Sequence, residues 1–506
     1  ALAGAAFEVR AAADIVTPDG TVRAKAGDRV AQMTTDRDGI ARTGELYLGT
    51  YTVREVAAPS GWALDDTPRT VTLAYQGQDV PLALARVDVS DAPSTLKLRK
   101  VDAATGQALA GAQFRIWSDR GFEGSFASGE DGWGKVEQLV PGSYHLQESG
   151  VPEGYEAAAL DEETGAPALI DFTVNENGLV GQGDGPFSAC LELVVENAPG
   201  EIGTHAQAQG DGRLLAPDEE ATIVDTVTYD NAVPGKEYTV TGTLHMREVD
   251  DAGAPVDAGP LLDDTGEPVT AAAHVVPTDR SGSVEVTFTF DASALAGRTV
   301  VVFEEMRSDR LFAVHADIAD GGQSVEVAPA VRTELVHTES GEHAAAVSDE
   351  GALALTDTVS VEGLQVGTTY LLRGTLMKRD SGEPVMNADG TPVTGTAEFE
   401  AQASDDQVEV SFSFDAGCAG AGSVVAFEEL YEREADAPEG AISLVARHAD
   451  LADDHQTVTI EEMPPSDTPP SVLARTADAL VRGWPLLALA LAALATAIVS
   501  VGRLRR

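Results

Sequence analysis

Cysteine is nearly missing from this chain: Cys190 and Cys418 are the only two among 506 residues. They fall in segments assigned below to different domains, so no disulfide framework holds the fold, and any covalent staple is of another kind. Basic residues are scarce as well. Against 83 Asp and Glu stand 33 Lys and Arg, for a net charge of −50. Such a surface repels a phosphate backbone, which argues against nucleic acid as a partner. The apolar fraction, 43%, is ordinary and interleaved, so the charge marks solvated outer faces rather than disorder. Long amphipathic helical periods are lacking outside the C-terminus.

Only one long apolar run occurs. Trp484 to Val501, "WPLLALALAALATAIVSV", carries no charge and is followed by Arg503, Arg505 and Arg506. As a helix these residues rise about 27 Å, close to the roughly 30 Å hydrocarbon core. One C-terminal transmembrane helix is therefore expected, with the basic tail in the cytoplasm and everything before it outside. No signal peptide opens the sequence. Its start, "ALAGAAFEVR", matches "ALAGAQFRIW" (Ala108 to Trp117) in the middle of a later module, so the chain is read as truncated at its N-terminus. The acidic "DRDG" (Asp36 to Gly39) lacks the spacing of a calcium loop, and neither metal nor cofactor is expected.

What fills the chain instead is strand-like alternation, as in "SVEVTFTFDASALAG" and "QVEVSFSFDAGCAG", broken by Gly, Pro and Asp turns. The expected fold class is all-β, with immunoglobulin-like sandwiches in series. Two internal repeats emerge, about 4–62 with 111–155, and about 222–323 with 354–456. They divide the chain into modules at 1–93, 94–200, 201–329 and 330–462, a Pro-rich linker at 463–480, and the membrane segment at 481–506.

Alternate side chains of a strand point to opposite faces, so parity shows which polar residues point inward. Lys100 continues the stripe of Leu96 and Leu98, Glu148 that of Tyr144 and Leu146, and Asn197 that of Leu191, Leu193 and Val195. Desolvation drives a lysine toward the neutral amine and a glutamate toward the neutral acid. A neutral amine beside a carboxamide polarised by a protonated acid is set up for amide exchange, giving a Lys–Asn isopeptide bond and ammonia. The segments "KVDAATGQALAGAQFRI", "PGSYHLQESGVPEGY" and "VENAP" resemble the collagen-adhesin B-type, or SpaA-like, modules of Gram-positive surface proteins, which have a prealbumin-like (inverse immunoglobulin-like) sandwich. The resemblance implies Lys100 as nucleophile, Asn197 as electrophile and Glu148 as the assisting acid. For the first module it implies Glu55 as the acid, in phase with Tyr51 and Val53, and Asp91 as the crosslinking residue, in phase with Val87 and Val89. Water would then leave instead of ammonia, and the lysine is expected upstream of residue 1.

The third and fourth modules share a second pattern. Thr204 is in phase with Ile202, and Thr333 with Val331 and Leu335; Gln323 is in phase with Val325 and Val327, and Gln456 with Val458 and Ile460. Asp225 and Asp357 also sit on apolar faces, Glu304 and Glu428 close the runs "VVVFE" and "VVAFE", and His315 and His448 open the twin "HAD" segments. A histidine near a threonine hydroxyl activates a weak oxygen nucleophile, a carboxylate can orient the imidazole, and a protonated carboxyl can hold the carboxamide. The product would be a Thr–Gln ester, durable where packing excludes water. These segments resemble the ester-bond domains, or VaFE repeats, of Gram-positive adhesins. The resemblance implies bonds Thr204–Gln323 and Thr333–Gln456, assisted by His315 and His448; Glu305 and Glu429 are alternatives to the auxiliary acids Asp225, Glu304, Asp357 and Glu428.

Ahead of the apolar run, Leu473, Ala474, Arg475, Thr476 and Ala477 resemble the sortase signal Leu-Pro-x-Thr-Gly, with alanine in place of proline and of glycine. The expected function is a cell-surface adhesin stalk, not a turnover enzyme, anchored in wall or membrane, with sortase and a host or extracellular-matrix ligand as partners. The ligand site would belong to the missing N-terminal region. The alternatives are a pilus subunit, for which no Tyr-Pro-Lys motif is found, and a surface enzyme.

Overall fold

The computed structural model describes residues 1–209, 214–347, 351–433 and 441–462. Strands make up nearly all of its regular structure, and the one helix among the described residues is the single turn Ala416–Ala419. No helix among the described residues is long and apolar enough to cross a membrane. The expected span, with the linker and Leu473 to Ala477, lies outside the described residues.

Four separate apolar cores form along the chain, each from residues close in sequence. In the second, Leu96, Leu98, Phe114, Ile116, Tyr144 and Leu146 are fully buried, and Tyr144 stacks on Phe172 with ring centroids 5.2 Å apart. Two sheets face each other across this core. One has the order Trp133–Val136, Thr95–Asp102, Cys190–Pro199, Tyr155–Ala157. The other runs Val180–Gly181, Ile170–Val174, Gly142–Gly150, Gln113–Ser118, Glu123–Ala127. Thr95–Asp102 and Cys190–Pro199, first and last in sequence, lie parallel, with Lys100 opposite Val195 and Asp102 opposite Asn197.

The first core rests on one four-stranded sheet, ordered Arg29–Thr34, Ala6–Ala11, Gly49–Ala57, Arg69–Leu73. Alternation at Val87, Val89 and Asp91 predicts a strand, yet these residues join no sheet. In the second module the matching strand, Cys190–Pro199, pairs with Thr95–Asp102, and residues 1–93 supply no counterpart of that partner.

The third and fourth cores are alike. A three-stranded sheet, Glu201–Ala208, Ala221–Asp230, Gly282–Phe290, matches Ala330–His337, Ala352–Glu362, Asp406–Asp415. A six-stranded sheet faces each, centred on Tyr238–Val249 and Thr299–Arg307 in one and on Thr369–Lys378 and Gly422–Arg433 in the other. Threonine and aspartate come from the small sheet, glutamate and histidine from the large one. Each glutamine sits one residue before a strand, Ser324–Glu326 or Thr457–Glu462.

Candidate functional sites

Parity places Lys100, Glu148 and Asn197 inward, and the structure brings them together. Lys100 and Asn197 are fully buried and Glu148 is 5% exposed. The Lys100 Nζ donates to Glu148 Oε2 at 3.0 Å and also to Asn197 Oδ1, while Asn197 Nδ2 donates to Glu148 Oε1 at 2.9 Å. Burial pushes the lysine pKa down and the glutamate pKa up, so both groups lean toward their neutral forms. One carboxyl therefore touches the nitrogen that would attack and the nitrogen that would leave.

The first module holds half of such a site. Glu55 is 1% exposed, and burial pushes its carboxyl up to about 7. Asp91 is raised by the same cause. Glu55 accepts the Asp65 N–H at 3.1 Å, and its buried carboxyl lies against that of Asp91. Lys25, the one lysine before residue 94, lies exposed on a turn.

In the third module the Thr204 hydroxyl donates to Asp225 Oδ1 at 2.6 Å. Gln323, fully buried, donates through Nε2 to the Val302 carbonyl at 2.7 Å, to Glu304 Oε2 at 3.1 Å and to the His315 carbonyl at 3.3 Å. Its Oε1 accepts the Asp317 N–H at 3.3 Å, a donor placed to polarise the carboxamide. Glu304 lies against Asp225 as well, and burial next to that second acid drives its pKa upward. His315 contacts Asp320 through Nε2 at 3.2 Å, and its buried Nδ1 has no partner among the described residues.

The fourth module repeats this placement. Thr333 donates to Asp357 Oδ1, and His448 Nε2 contacts Asp453 Oδ2 at 2.9 Å. Burial raises Asp357 and pushes Glu428 up to about 10. The Glu428 carboxyl lies against Asp357, and the Gln456 side-chain atoms are buried without partners among the described residues.

Two features depart from the expectations, and a third separates the alternatives. Each threonine hydroxyl meets the aspartate rather than the histidine. Each imidazole is oriented by an acid that parity did not identify, Asp320 or Asp453, five residues further on. Glu305 and Glu429 point outward, to Arg307 and Tyr431, so the buried glutamates are Glu304 and Glu428. Glycine stands opposite both of those glutamates. Gly242 lies opposite Glu304 and Gly374 opposite Glu428. A Cβ at Gly374 would collide with the Glu428 carboxyl and the Phe412 ring, and one at Gly242 with Phe288. Among the described residues no group of three or more His, Cys, Asp or Glu is arranged to hold a metal ion.

Two family models match the chain. The T-Q ester bond containing domain matches residues 200–327 and 329–460, and the SpaA prealbumin-like fold domain matches 1–84 and 94–182. Both are structural domain families rather than enzyme families. No curated protein matches. Among solved structures, the Bacillus anthracis TIE protein is 19% identical, with 64% of this chain and 45% of that one covered and a TM-score of 0.23. BcpA, the major pilin subunit of Bacillus cereus, is 15% identical, with 73% and 98% covered and a TM-score of 0.24. The shaft pilin SpaA from Lactobacillus rhamnosus GG is 16% identical, with 39% and 85% covered and a TM-score of 0.17. The chain thus spans less than half the length of the TIE protein. The T-Q matches alone account for more than half of the residues, and the chain belongs to the family of proteins built from T-Q ester bond containing domains, here preceded by prealbumin-like ones.

Proposed function

We propose that this chain is a surface stalk whose modules, divided at 1–93, 94–200, 201–329 and 330–462, crosslink themselves. In the second, Lys100 Nζ attacks the Asn197 side-chain carbonyl carbon. The C–Nδ2 bond breaks, and Glu148 carries the amine proton to the departing ammonia. In the third and fourth, Thr204 and Thr333 attack Gln323 and Gln456. Asp225 or Asp357 accepts the hydroxyl proton, Glu304 or Glu428 supplies one to the leaving nitrogen, and ammonia departs again. His315 and His448, steadied by Asp320 and Asp453, assist. Each site reacts once, so the chain is its own substrate.

The observation that carries this reading is the contact of Glu148 with both nitrogens in a site from which water is excluded. The mechanical sense follows from topology. Each bond ties the first strand of a module to its last strand or to the residue before it, so a pull on the ends bypasses the hydrogen-bonded sheets. In this reading the stalk holds a binding region away from a Gram-positive envelope. Leu473 to Ala477 present the chain to a sortase, and the apolar segment after them keeps it in the membrane with its tail in the cytoplasm. A shaft subunit of a pilus would use the same modules. A sortase-dependent ladder of covalent multimers would select that alternative, and a single wall-linked or membrane-held species the stalk.

Intact-mass spectrometry of the recombinant chain tests the crosslinks. The expected mass lies below that of the sequence by three molecules of ammonia, one from Lys100–Asn197 and two from the esters. The full calculated mass would refute the reading.

A further inference from the structure

Part of what encloses the Lys100 site comes from the module that follows it. Tyr155–Ala157 is the edge strand of the sheet that holds Asn197, with Ala157 opposite Asn197 and Glu156 opposite Ala198. Three residues at a sheet edge hold little by themselves. On its inner side this strand is tied to the lysine strand, because the Tyr155 hydroxyl donates to Asp102 Oδ2 at 2.9 Å.

Its outer side is gripped by the first ester repeat. Glu156 is 4% exposed although it belongs to an edge strand. Its carboxylate takes Arg310 on one oxygen; on the other it takes Lys236 Nζ at 3.3 Å and the Tyr238 hydroxyl at 3.2 Å. Arg310 also donates to the Tyr155 carbonyl at 2.8 Å, and Arg280 to the Ala157 carbonyl at 3.3 Å. Backbone closes the seam as well, with Gly154 N–H on the Leu311 carbonyl at 3.2 Å. A Cβ at Gly200 would stand 2.5 Å from the Phe312 carbonyl oxygen, so the approach is as close as glycine permits. A carboxylate this deep is tolerable only while its cations are in place. Undocking the repeat would leave Glu156 unpaired, free the edge strand and let water reach Asn197.

We propose that the first ester repeat completes the isopeptide site of the module before it: Arg310, through Glu156 and the Tyr155 carbonyl, pins the Tyr155–Ala157 strand beside Asn197, so that the Lys100–Asn197 bond closes efficiently only when the two modules are docked. Arg310 and Glu156 are positioning residues, since neither touches the reacting atoms. The inference rests on the isopeptide reading above and adds an order of events, in which docking precedes bond closure and the bond then fixes the docked strand's partner.

The test uses the full chain made by cell-free synthesis, sampled over time and mapped by peptide mass for the branches Lys100–Asn197, Thr204–Gln323 and Thr333–Gln456. Arg310→Met and Glu156→Ala should each slow Lys100–Asn197 closure by about tenfold or more, as expected when reacting groups lose their alignment. Thr333–Gln456 should keep the wild-type pace. Thr204–Gln323 in the same molecules should still form, showing that the repeat carrying Arg310 has folded, and the isosteric Glu156→Gln should slow Lys100–Asn197 in the same direction as Glu156→Ala. Arg310→Lys, which keeps the charge, should restore most of the rate. Wild-type pace in Arg310→Met and Glu156→Ala, or equal slowing of all three bonds, would overturn the proposal. A wild-type chain that never forms Lys100–Asn197 would instead refute the isopeptide reading and this inference with it.

Discussion

The two ester-bond repeats place the same residue types at matching positions, yet they hold the electrophile differently. In the first, every polar atom of the Gln323 side chain has a partner, and the Asp317 N–H points at the carbonyl to be attacked. In the second, Gln456 is equally buried and its side-chain atoms have no partner among the described residues. A buried polar group left unsatisfied costs about 1–3 kcal/mol. The nucleophile side, by contrast, is the same in both, with threonine on aspartate. Strand parity thus places a reactive group, whereas a neighbouring turn decides how well it is aligned.

Loss of the nucleophile should affect the two repeats alike. Thr204→Val and Thr333→Val each abolish one ester while leaving a side chain of similar shape. Each bond closes a loop of roughly 120 residues, for which chain entropy gives about 4–5 kcal/mol. That corresponds to a drop of melting temperature on the order of 15 °C for the affected repeat. Calorimetry showing similar losses would place the effect in the unfolded chain. A loss confined to one repeat would place it in native-state strain.

The next effect separates nucleophile from electrophile. Asp225→Asn and Asp357→Asn remove the group that takes the hydroxyl proton and should slow the respective ester by about 10²-fold or more. In the wild-type chain, time-resolved mass mapping should find Thr204–Gln323 complete before Thr333–Gln456, because only Gln323 is already held. The reverse order would show that the contacts of Gln323 do not align it for attack.

The response to pH should have the same sign in both repeats. Glu428 titrates at about 10 in the fold against an ordinary value of 4.5. Between those values the folded state holds a proton that the unfolded state has released. Stability from this group is therefore full below about pH 4.5 and is lost as pH rises toward 10. In the Thr333→Val background, denaturant melts of the fourth module should show stability falling across that window, and Glu428→Gln should flatten the slope. Burial raises Glu304 in the same direction, so Glu304→Gln should flatten the Thr204→Val series too. Stability that climbs with pH would contradict the assignment of neutral buried acids.

Much of the site was legible because a two-residue period needs no knowledge of tertiary structure. Lys100, Glu148, Asn197, Thr333, Asp357, Glu304 and Gln323 all lie on the apolar face that alternation assigns them. Parity fails where the chain leaves the sheet. Asp320 and Asp453 sit in turns, which have no period, although the twin spacing His-x-Asp-x-x-Asp was available as a signal. Gly374 matters through the Glu428 carboxyl on the neighbouring strand, a pairing known only from the register. The Arg310–Glu156 contact joins residues 154 positions apart, and nothing local announces it. The strand expected at Val87 to Asp91 fails for the opposite reason: its pattern is present and its partner strand is not.

The most direct test of self-crosslinking is a peptide map of the purified full chain. Gln323 and Gln456 should be recovered in branched species bonded to the peptides bearing Thr204 and Thr333, and Asn197 in one bonded to Lys100, each lighter by one ammonia than its two parts. Recovery of all six residues in ordinary linear peptides would contradict the account.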